Sequence, residues 1–329
     1  MLILVLGGAG YIGSHTVKML CESGESVIVA DNLATGYKKA IHPKAKFYEG
    51  DLRDSSFLRK IFENEDIDSV IHFAAYSLVG ESVEEPLKYY NNNVCGTEAL
   101  LEAMEKYRVK NIVFSSTAAT YGEPERVPIT ETDNTIPTNP YGETKLSIEK
   151  MFKWEDRAKG LRFVSLRYFN ACGADESGEI GEAHNPETHL IPLILQVPNG
   201  QRKSISVFGT DYPTKDGTCI RDYIHVTDLA SAHILAVKYL RNGGKSDIFN
   251  LGNGVGFSVR EVIETARKVT GEKIPSVDMP RRAGDPAQLI ASSEKAKSIL
   301  GWTPEHDGLE EIISSAWKWH KSHPFGYEK

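Results

Sequence analysis

The sequence predicts an α/β fold: a doubly wound parallel sheet covered by helices, followed by a smaller α/β region. Three observations carry this. Short, continuous apolar runs alternate with amphipathic helical stretches through the first half, the pattern of parallel strands buried on both faces. A glycine-rich turn, "GGAGYIG", joins the first run to the first helix. After Asn170 that rhythm gives way to a long stretch containing glycine and proline.

Taken in order, "LILVLG" (2–7) reads as a strand, Tyr11 to about Cys21 as a helix, and "SVIVAD" (26–31) as the next strand. "AKFYEGD" (45–51) precedes a helix at "SSFLRKIFEN" (55–64), and "SVIHFAA" (69–75) leads into a long helix over about 83–107. "VKNIVFSST" (109–117) is the fifth strand, 140–159 a helix, and "RFVSLRYFN" (162–170) the sixth strand. Beyond the loops of 171–220 come a helix from about Asp228, a strand at "DIFNLG" (247–252) and a helix at "SVREVIETARKV" (258–269). The chain closes on an amphipathic helix with Leu309, Ile312, Ile313, Ala316 and Trp317 at core spacing. Residues 1–170 are expected to form one domain and 171–329 a second. The second is discontinuous, because 228–270 is expected to pack back onto the first. No sharp linker and no internal repeat mark the boundary.

With 329 residues, 40% hydrophobic and 25% charged, the chain suits one large or two modest globular domains. A net charge of −7 argues against a nucleic-acid or membrane-surface binder, which shows a basic face. Four scattered cysteines without a C-x-x-C pair suit free thiols in a reducing compartment. No apolar run is long enough to span a membrane. The opening "MLILVLGG" lacks a basic leader and runs into glycines. It reads as a strand rather than a signal peptide, and a cytoplasmic location is expected.

Gly7, Gly10 and Gly13 stand between a buried strand and a helix. Glycines there permit the tight turn and let a pyrophosphate approach backbone N–H groups. Asp31 closes the second strand 24 residues after Gly7. Its carboxylate can bind the adenosine ribose hydroxyls and would repel the extra phosphate of NADP, so NAD is the expected cofactor. Asp51, ending the third strand, suits the adenine edge or, more plainly, a helix cap.

"NPYGETK" (139–145) puts Tyr141 and Lys145 four apart at the start of a helix, a spacing that composition alone supplies about once. Context gives it weight. In a doubly wound sheet, ligands bind outside the carboxyl ends of the strands. Ser115, Ser116 and Thr117 end the fifth strand at that edge, and lysine at i+4 lies on the tyrosine's side of the helix. Removing a hydroxyl proton while hydride leaves carbon needs a base. A phenol of pKa ~10 must shift by about 3 units, or ~4 kcal/mol, to be half ionised at neutral pH. A cation ~4 Å away at an effective dielectric of ~20 supplies about that much. Lys145, with a positive nicotinamide ring, is a sufficient cause.

The glycine loop, the serine–threonine strand end and Tyr141-x-x-x-Lys145 together resemble the extended short-chain dehydrogenases. "LRYFNACGA" (166–174), "THLIPLILQV" (188–197), "FGTDYPTKDGTCIRDYIHVTDLA" (208–230), "NLGNGVGFSV" (250–259) and "PRRAGDP" (280–286) narrow this. They resemble the UDP-glucose 4-epimerase family across almost the whole chain. The resemblance implies a Rossmann domain holding NAD and a C-terminal domain holding a UDP-sugar. It implies oxidation at C4 by NAD, rotation of the 4-keto sugar, and re-reduction on the other face. Tyr141 would exchange the 4-hydroxyl proton, Thr117 would relay it, and Lys145 would also hold the nicotinamide ribose. By the same resemblance Tyr11, Ile12, Asn32, Leu52 and Phe73 contact NAD, as do Ala74, Ala75, Asn93, Ser115 and Tyr168. Asn170, His189 and Leu190 should meet the substrate. Arg221 and Arg282 should clamp its diphosphate, Asp285 its ribose, and Phe208 its uracil. Guanidinium forks suit phosphate oxygens. The family is usually dimeric, and helices 83–107 and 140–159 are the expected interface.

Some positions depart from the family pattern. Thr117 stands where serine is common, Ser77 where an NAD-contacting lysine is common, and Leu289 where some members carry a bulky tyrosine. The smaller Leu289 leaves room for an N-acetyl group, so UDP-N-acetylglucosamine and its galactose epimer are alternative substrates, as are UDP-xylose and UDP-arabinose. A sugar dehydratase needs an acid–base pair after the threonine, and this sequence has Ala118 and Ala119 instead. A non-catalytic NAD-binding module is a remote alternative that had no need to keep Thr117, Tyr141 and Lys145. His184 and His189 are five apart with no third ligand in view, so no metal is expected. His225 reads as structural.

Overall fold

The structure, a computed structural model, describes residues 1–282 and 285–327. In chain order its first elements are β1 (Leu2–Leu6), α1 (Tyr11–Glu22), β2 (Ser26–Asp31), β3 (Lys46–Glu49), α2 (Ser55–Asn64) and β4 (Ser69–His72). Then come α3 (Val79–Glu84), α4 (Pro86–Tyr89), α5 (Gly96–Lys106), β5 (Asn111–Ser115), α6 (Pro140–Lys159) and β6 (Arg162–Tyr168). The next group is β7 (Asn170–Cys172), α7 (Leu190–Leu195), β8 (Ile205–Phe208), β9 (Ile220–Arg221), β10 (Tyr223–His225) and α8 (Val226–Arg241). Last are β11 (Asp247–Leu251), β12 (Phe257–Ser258), α9 (Val259–Thr270), β13 (Ser276–Met279), β14 (Gln288–Leu289) and α10 (Leu309–Ser322).

Seven parallel strands form one sheet in the order β11-β6-β5-β4-β1-β2-β3. Strand alternation divides its apolar side chains between two cores. Ile3 and Val5 face α1 and α8 with Phe249 and Trp302. Leu4 and Leu6 face α2, α5 and α6 with Phe114 and Phe152. Each such side chain stabilises the fold by roughly 1.5–3 kcal/mol on burial. The winding reverses between β1 and β4, which opens a crevice at their carboxyl ends.

Two expectations for the helices need correction. The stretch 83–107 is not one helix. Pro86 begins a new one and holds Glu85 at φ −124, ψ 59, outside the helical region. A π-turn at Tyr90–Cys95 follows and buries Asn92 and Asn93. Nor does 228–270 return to the sheet as a unit. β11 pairs with β6 and α8 packs on the sheet, whereas α9 joins a third core. There Val262, Ile263 and Ala266 meet Ile194, Leu195, Ile312 and Ile313. In α10 the fully buried indole is Trp319, whose Nε1–H donates to the Glu182 carbonyl at 2.9 Å, while Trp317 is half-buried. Among the described residues, no helix is long and apolar enough to cross a membrane.

The sequence around α6 explains how it starts and what it buries. Asn139 caps it, its Oδ1 accepting the Gly142 N–H at 2.9 Å, and Pro140 occupies the first turn, where its missing N–H matters least. Gly160, at φ 70, ends the helix in the left-handed conformation. Between these ends Glu149 turns inward with no exposed surface. It accepts from Arg167 Nε at 2.9 Å and Nη2 at 2.5 Å, and from Ser116 Oγ at 2.6 Å. Removing the carboxylate leaves a buried guanidinium unpaired, which typically costs about 3–5 kcal/mol. Glu149→Ala should therefore lower the urea midpoint sharply. The double variant Glu149→Met with Arg167→Met should recover most of the loss. A single variant unfolding at the wild-type midpoint would show that the pair does not hold α6.

Candidate active site

A cleft of about 480 Å³ lies along the carboxyl ends of the strands, within the size range of small-molecule sites. It begins at the glycine loop. Gly7 takes φ +78, and a Cβ on Gly13 would stand 2.2 Å from the Gly7 carbonyl oxygen, so the turn tolerates no side chain there. The N-cap of α1 is Gly10, which makes no side-chain cap, and the first N–H groups of the helix are left for an anion. Asp31 ends β2 with Oδ2 accepting from Ala9 N–H at 2.9 Å and Oδ1 from Leu33 N–H at 2.8 Å. Burial raises its pKa, and those two donors oppose the rise. Its remaining lone pairs can accept from vicinal hydroxyls. This loop and carboxylate fit a dinucleotide.

Tyr11, Ile12, Leu52, Phe73, Ala74 and Ala75 line the same end, with Ser77 nearby. Asp51 is also there, but Arg53 grips it from Nε at 2.9 Å and Nη2 at 2.8 Å and holds its carboxyl well below the usual range. Asn32 donates to the same carboxylate at 3.2 Å. Asn93, expected at the cofactor, is not on the wall. The π-turn buries it, and its amide accepts from Tyr76 N–H at 2.9 Å and donates to Thr144 Oγ1 at 3.1 Å. Its neighbour Asn92 lines the cleft instead.

Midway, the start of α6 presses against the turn after β5. A Cβ on Gly142 would lie 2.5 Å from the Ala119 carbonyl oxygen, so glycine permits the approach that sets Tyr141 beside Thr117. Burial raises the Tyr141 phenol above its ordinary value, and a hydrogen bond with Thr117 opposes this. Lys145 is buried, with Nζ donating to the Ser115 carbonyl at 2.7 Å and standing 5.9 Å from the Tyr141 ring centre. Burial pulls Lys145 down to about 7, against the opposing charge of Glu149. Burial thus weakens the positive charge that Lys145 can offer Tyr141. Ser115 and Tyr168 hydrogen-bond to each other through their hydroxyls at this edge.

At the far end Asn170, His189, Arg221, Asp285 and Leu289 line the cleft. Arg221 is paired with Asp285, and its Nη1 donates to the Ile220 carbonyl at 2.8 Å. Phe208 and Arg282 are not among the lining residues. They stack on one another, with the guanidinium 4.0 Å from the ring centre. Leu190 begins α7 just behind His189, its N-cap. Asp222, which the sequence reading passed over, is fully buried beneath this end. Its carboxylate accepts N–H groups of Asn253 at 2.9 Å, Ala291 at 3.2 Å and Gly254 at 3.3 Å. Burial pushes its pKa up to about 6, with those donors opposing. A charged residue inside the apolar run "IRDYIHV" was the available signal.

The expectation that His184 and His189 have no third ligand is overturned. Glu182 and Glu187 join them, and one ligand atom from each of the four lies within 4.8 Å of the others. The signal was the spacing E-x-H-x-x-E-x-H, legible once carboxylates are counted with imidazoles.

Comparison with known proteins agrees with this geometry. Residues 3–252 match the NAD dependent epimerase/dehydratase family. The chain is 63% identical over 327 residues to a UDP-glucose 4-epimerase of Halalkalibacterium halodurans, covering 99% of this chain and 98% of that protein. A crystal structure of a UDP-glucose 4-epimerase superposes with a TM-score of 0.99 at 59% identity, covering 100% of both chains. The UDP-glucose 4-epimerase from Bifidobacterium longum, solved in complex with NAD+ and UDP, gives a TM-score of 0.93 at 40% identity, covering 99% of this chain and 100% of that one. The chain belongs to the NAD-dependent epimerase/dehydratase family.

Proposed function

We propose that this chain is an NAD-dependent 4-epimerase that interconverts UDP-glucose and UDP-galactose. The observation that carries the reading is the continuity of the cleft. One wall runs from the Gly7–Gly13 loop, past Thr117, Tyr141 and Lys145, to Arg221, Asp285 and Leu289. The named relatives and the neighbour solved with NAD+ and UDP support it. The Gly7–Gly13 loop and Asp31 would hold NAD, which would supply the hydride acceptor, and after the sugar turns the hydride donor, at sugar C4. Net redox is zero, so no outside reductant enters.

The chain's own residues handle the proton. Tyr141 takes it from the 4-hydroxyl and later gives it back, with Thr117 bridging phenol and sugar oxygen. Ionising a phenol raised by burial requires positive charge on both sides. Lys145 contributes part, and the positive ring of the oxidised cofactor contributes the rest. Ala118 and Ala119 line the cleft beside Thr117 without a proton to move, which favours epimerisation over loss of water. Arg221 suits the diphosphate and Asp285 the uridine ribose. Arg282 reaches the diphosphate only by leaving the Phe208 ring, so the clamp falls first to Arg221.

Leu289 at the rim favours acceptance of N-acetylated sugars as well. We also infer a homodimer. Val83, Leu87 and Trp154, on α3, α4 and α6, are 61%, 80% and 65% exposed, an apolar set suited to a second copy. A reducing cytoplasm suits cysteines that are all free, three of them buried.

Three outcomes test this reading. Tyr141→Phe should lower turnover of UDP-galactose by about 10²–10⁴-fold, the usual worth of a positioned acid–base. Its bound NAD, measured after denaturation, should stay at the wild-type level. Unchanged turnover would remove Tyr141 from the chemistry. Purified protein should turn over both UDP-galactose and UDP-N-acetylgalactosamine. Leu289→Tyr should then cut kcat/KM for the N-acetylated sugar by roughly 10-fold or more, as pocket-filling changes do, and spare the plain hexose. Equal losses on both substrates would refute the rim role. Leu87→Glu should shift the chain toward monomer in light scattering. A variant still wholly dimeric would place the interface elsewhere.

A further inference from the structure

Glu182, His184, Glu187 and His189 come from one short loop against the cleft wall, and the epimerase chemistry does not account for all four. His184 Nδ1 lies 3.0 Å from Glu182 Oε1 and 3.7 Å from Glu187 Oε2. His189 Nδ1 lies 2.8 Å from Glu182 Oε1 and 3.3 Å from Glu187 Oε1. A tetrahedron with metal–ligand bonds of ~2.0–2.1 Å has edges of roughly 3.3 Å. The four His–Glu separations are of that size, and one ligand atom from each residue lies within 4.8 Å of the others, so small side-chain shifts would bring them to the corners of a zinc site.

Three further features fit. Metal ligation requires both imidazoles to release their protons; the two carboxylates then leave a double negative charge, which one divalent cation cancels. The Glu187 carboxylate is oriented by backbone, its Oε1 accepting the N–H groups of Thr188 at 2.7 Å and His189 at 2.8 Å, the kind of outer support that metal ligands have. Glu182 is 3% exposed, and its carbonyl is fixed by the Trp319 indole at 2.9 Å. Imidazole nitrogens with four-coordination favour zinc over magnesium or calcium, which take six or more oxygens.

We propose that Glu182, His184, Glu187 and His189 bind one zinc ion in a closed, structural four-coordinate site. The ion ties residues 182–189 to the wall and fixes His189 at the start of α7, on the substrate side of the cleft. It takes no part in proton or hydride transfer, although three of its ligands also line the substrate cleft.

The full-length protein with its NAD is exposed to zinc, dialysed against metal-free buffer and analysed for metal by mass spectrometry. About one equivalent per chain is expected, as for a structural site. The double variant His184→Gln with His189→Gln should lose at least about 90% of it, and Cys95→Ser, altering the exposed thiol, should keep it. Cobalt(II) in place of zinc should give the intense visible absorption of a four-coordinate ion. A chelator should lower the melting temperature of the wild type by several degrees and leave the double variant unmoved. Wild-type protein that retains no zinc would overturn the proposal, leaving protonated imidazoles in ion pairs. So would zinc retained in full by the double variant, or a cobalt spectrum of six-coordinate type.

Discussion

Glu149, fully buried on α6, meets a buried guanidinium, and the buried Lys145 lies nearby on the same helix. Arg167 on β6 is bonded to it through two nitrogens, and Lys145 lies one helical turn before it on α6. A carboxylate in low dielectric cannot be left alone, and neither can a guanidinium. The pair therefore locks the rotation of α6 against β6 with more angular precision than an apolar stripe provides. Ser116, donating to the same carboxylate at 2.6 Å, extends the lock to the end of β5. Tyr141 and Thr117 sit on the two elements so joined. Their alignment follows from a contact that touches neither of them.

That depth also sets the electrostatics. Lys145 has no carboxylate in direct contact. Its ammonium rests on the Ser115 carbonyl and over the Phe114 ring at 4.7 Å. Desolvation wins over Glu149 and leaves the lysine near the point where it releases its proton. A lysine fully paired with Glu149 would be a permanent cation with its charge already neutralised. Placed as it is, Lys145 shifts with whatever charge arrives beside it. Burial raises the tyrosine as well, so positive charge placed beside it is what favours its ionised form.

The sheet was legible because each of its signals is local. Alternating apolar faces, a glycine loop after β1, and Asn139-Pro140 ahead of α6 act within a few residues of where they are read. Pro86 was equally local, yet it sat inside an unbroken amphipathic pattern that outweighed it. Asn93 was named through the resemblance, which carries no record of burial, and the π-turn buries it while Asn92 lines the cleft. The Phe208–Arg282 stack and the Arg221–Asp285 pair join residues 74 and 64 positions apart, and no periodicity records a preference among arginines. Glu182 and Glu187 stood beside two histidines and were not counted as ligands. Composition suggests surface charge for most carboxylates, and only packing shows otherwise.

The far end of the cleft shows how neighbours divide labour. Arg221 ends β9 and Asp222 follows it in the link to β10, and their side chains part. Arg221 reaches the cleft, while Asp222 turns under it and gathers three backbone N–H groups from two loops. β9 also pairs with β14 in register Leu289↔Arg221, so Leu289 and the Arg221 cation are carried by one small sheet. In the free protein Arg221 is already satisfied by Asp285. A ligand bringing only phosphate must break that ion pair and leave a carboxylate without its partner. On the proposed reading a nucleoside diphosphate would replace both halves at once, its phosphate at the guanidinium and its ribose hydroxyls at the carboxylate. Discrimination for the whole nucleotide would then come from an ion pair that is worth breaking only when both partners are re-engaged.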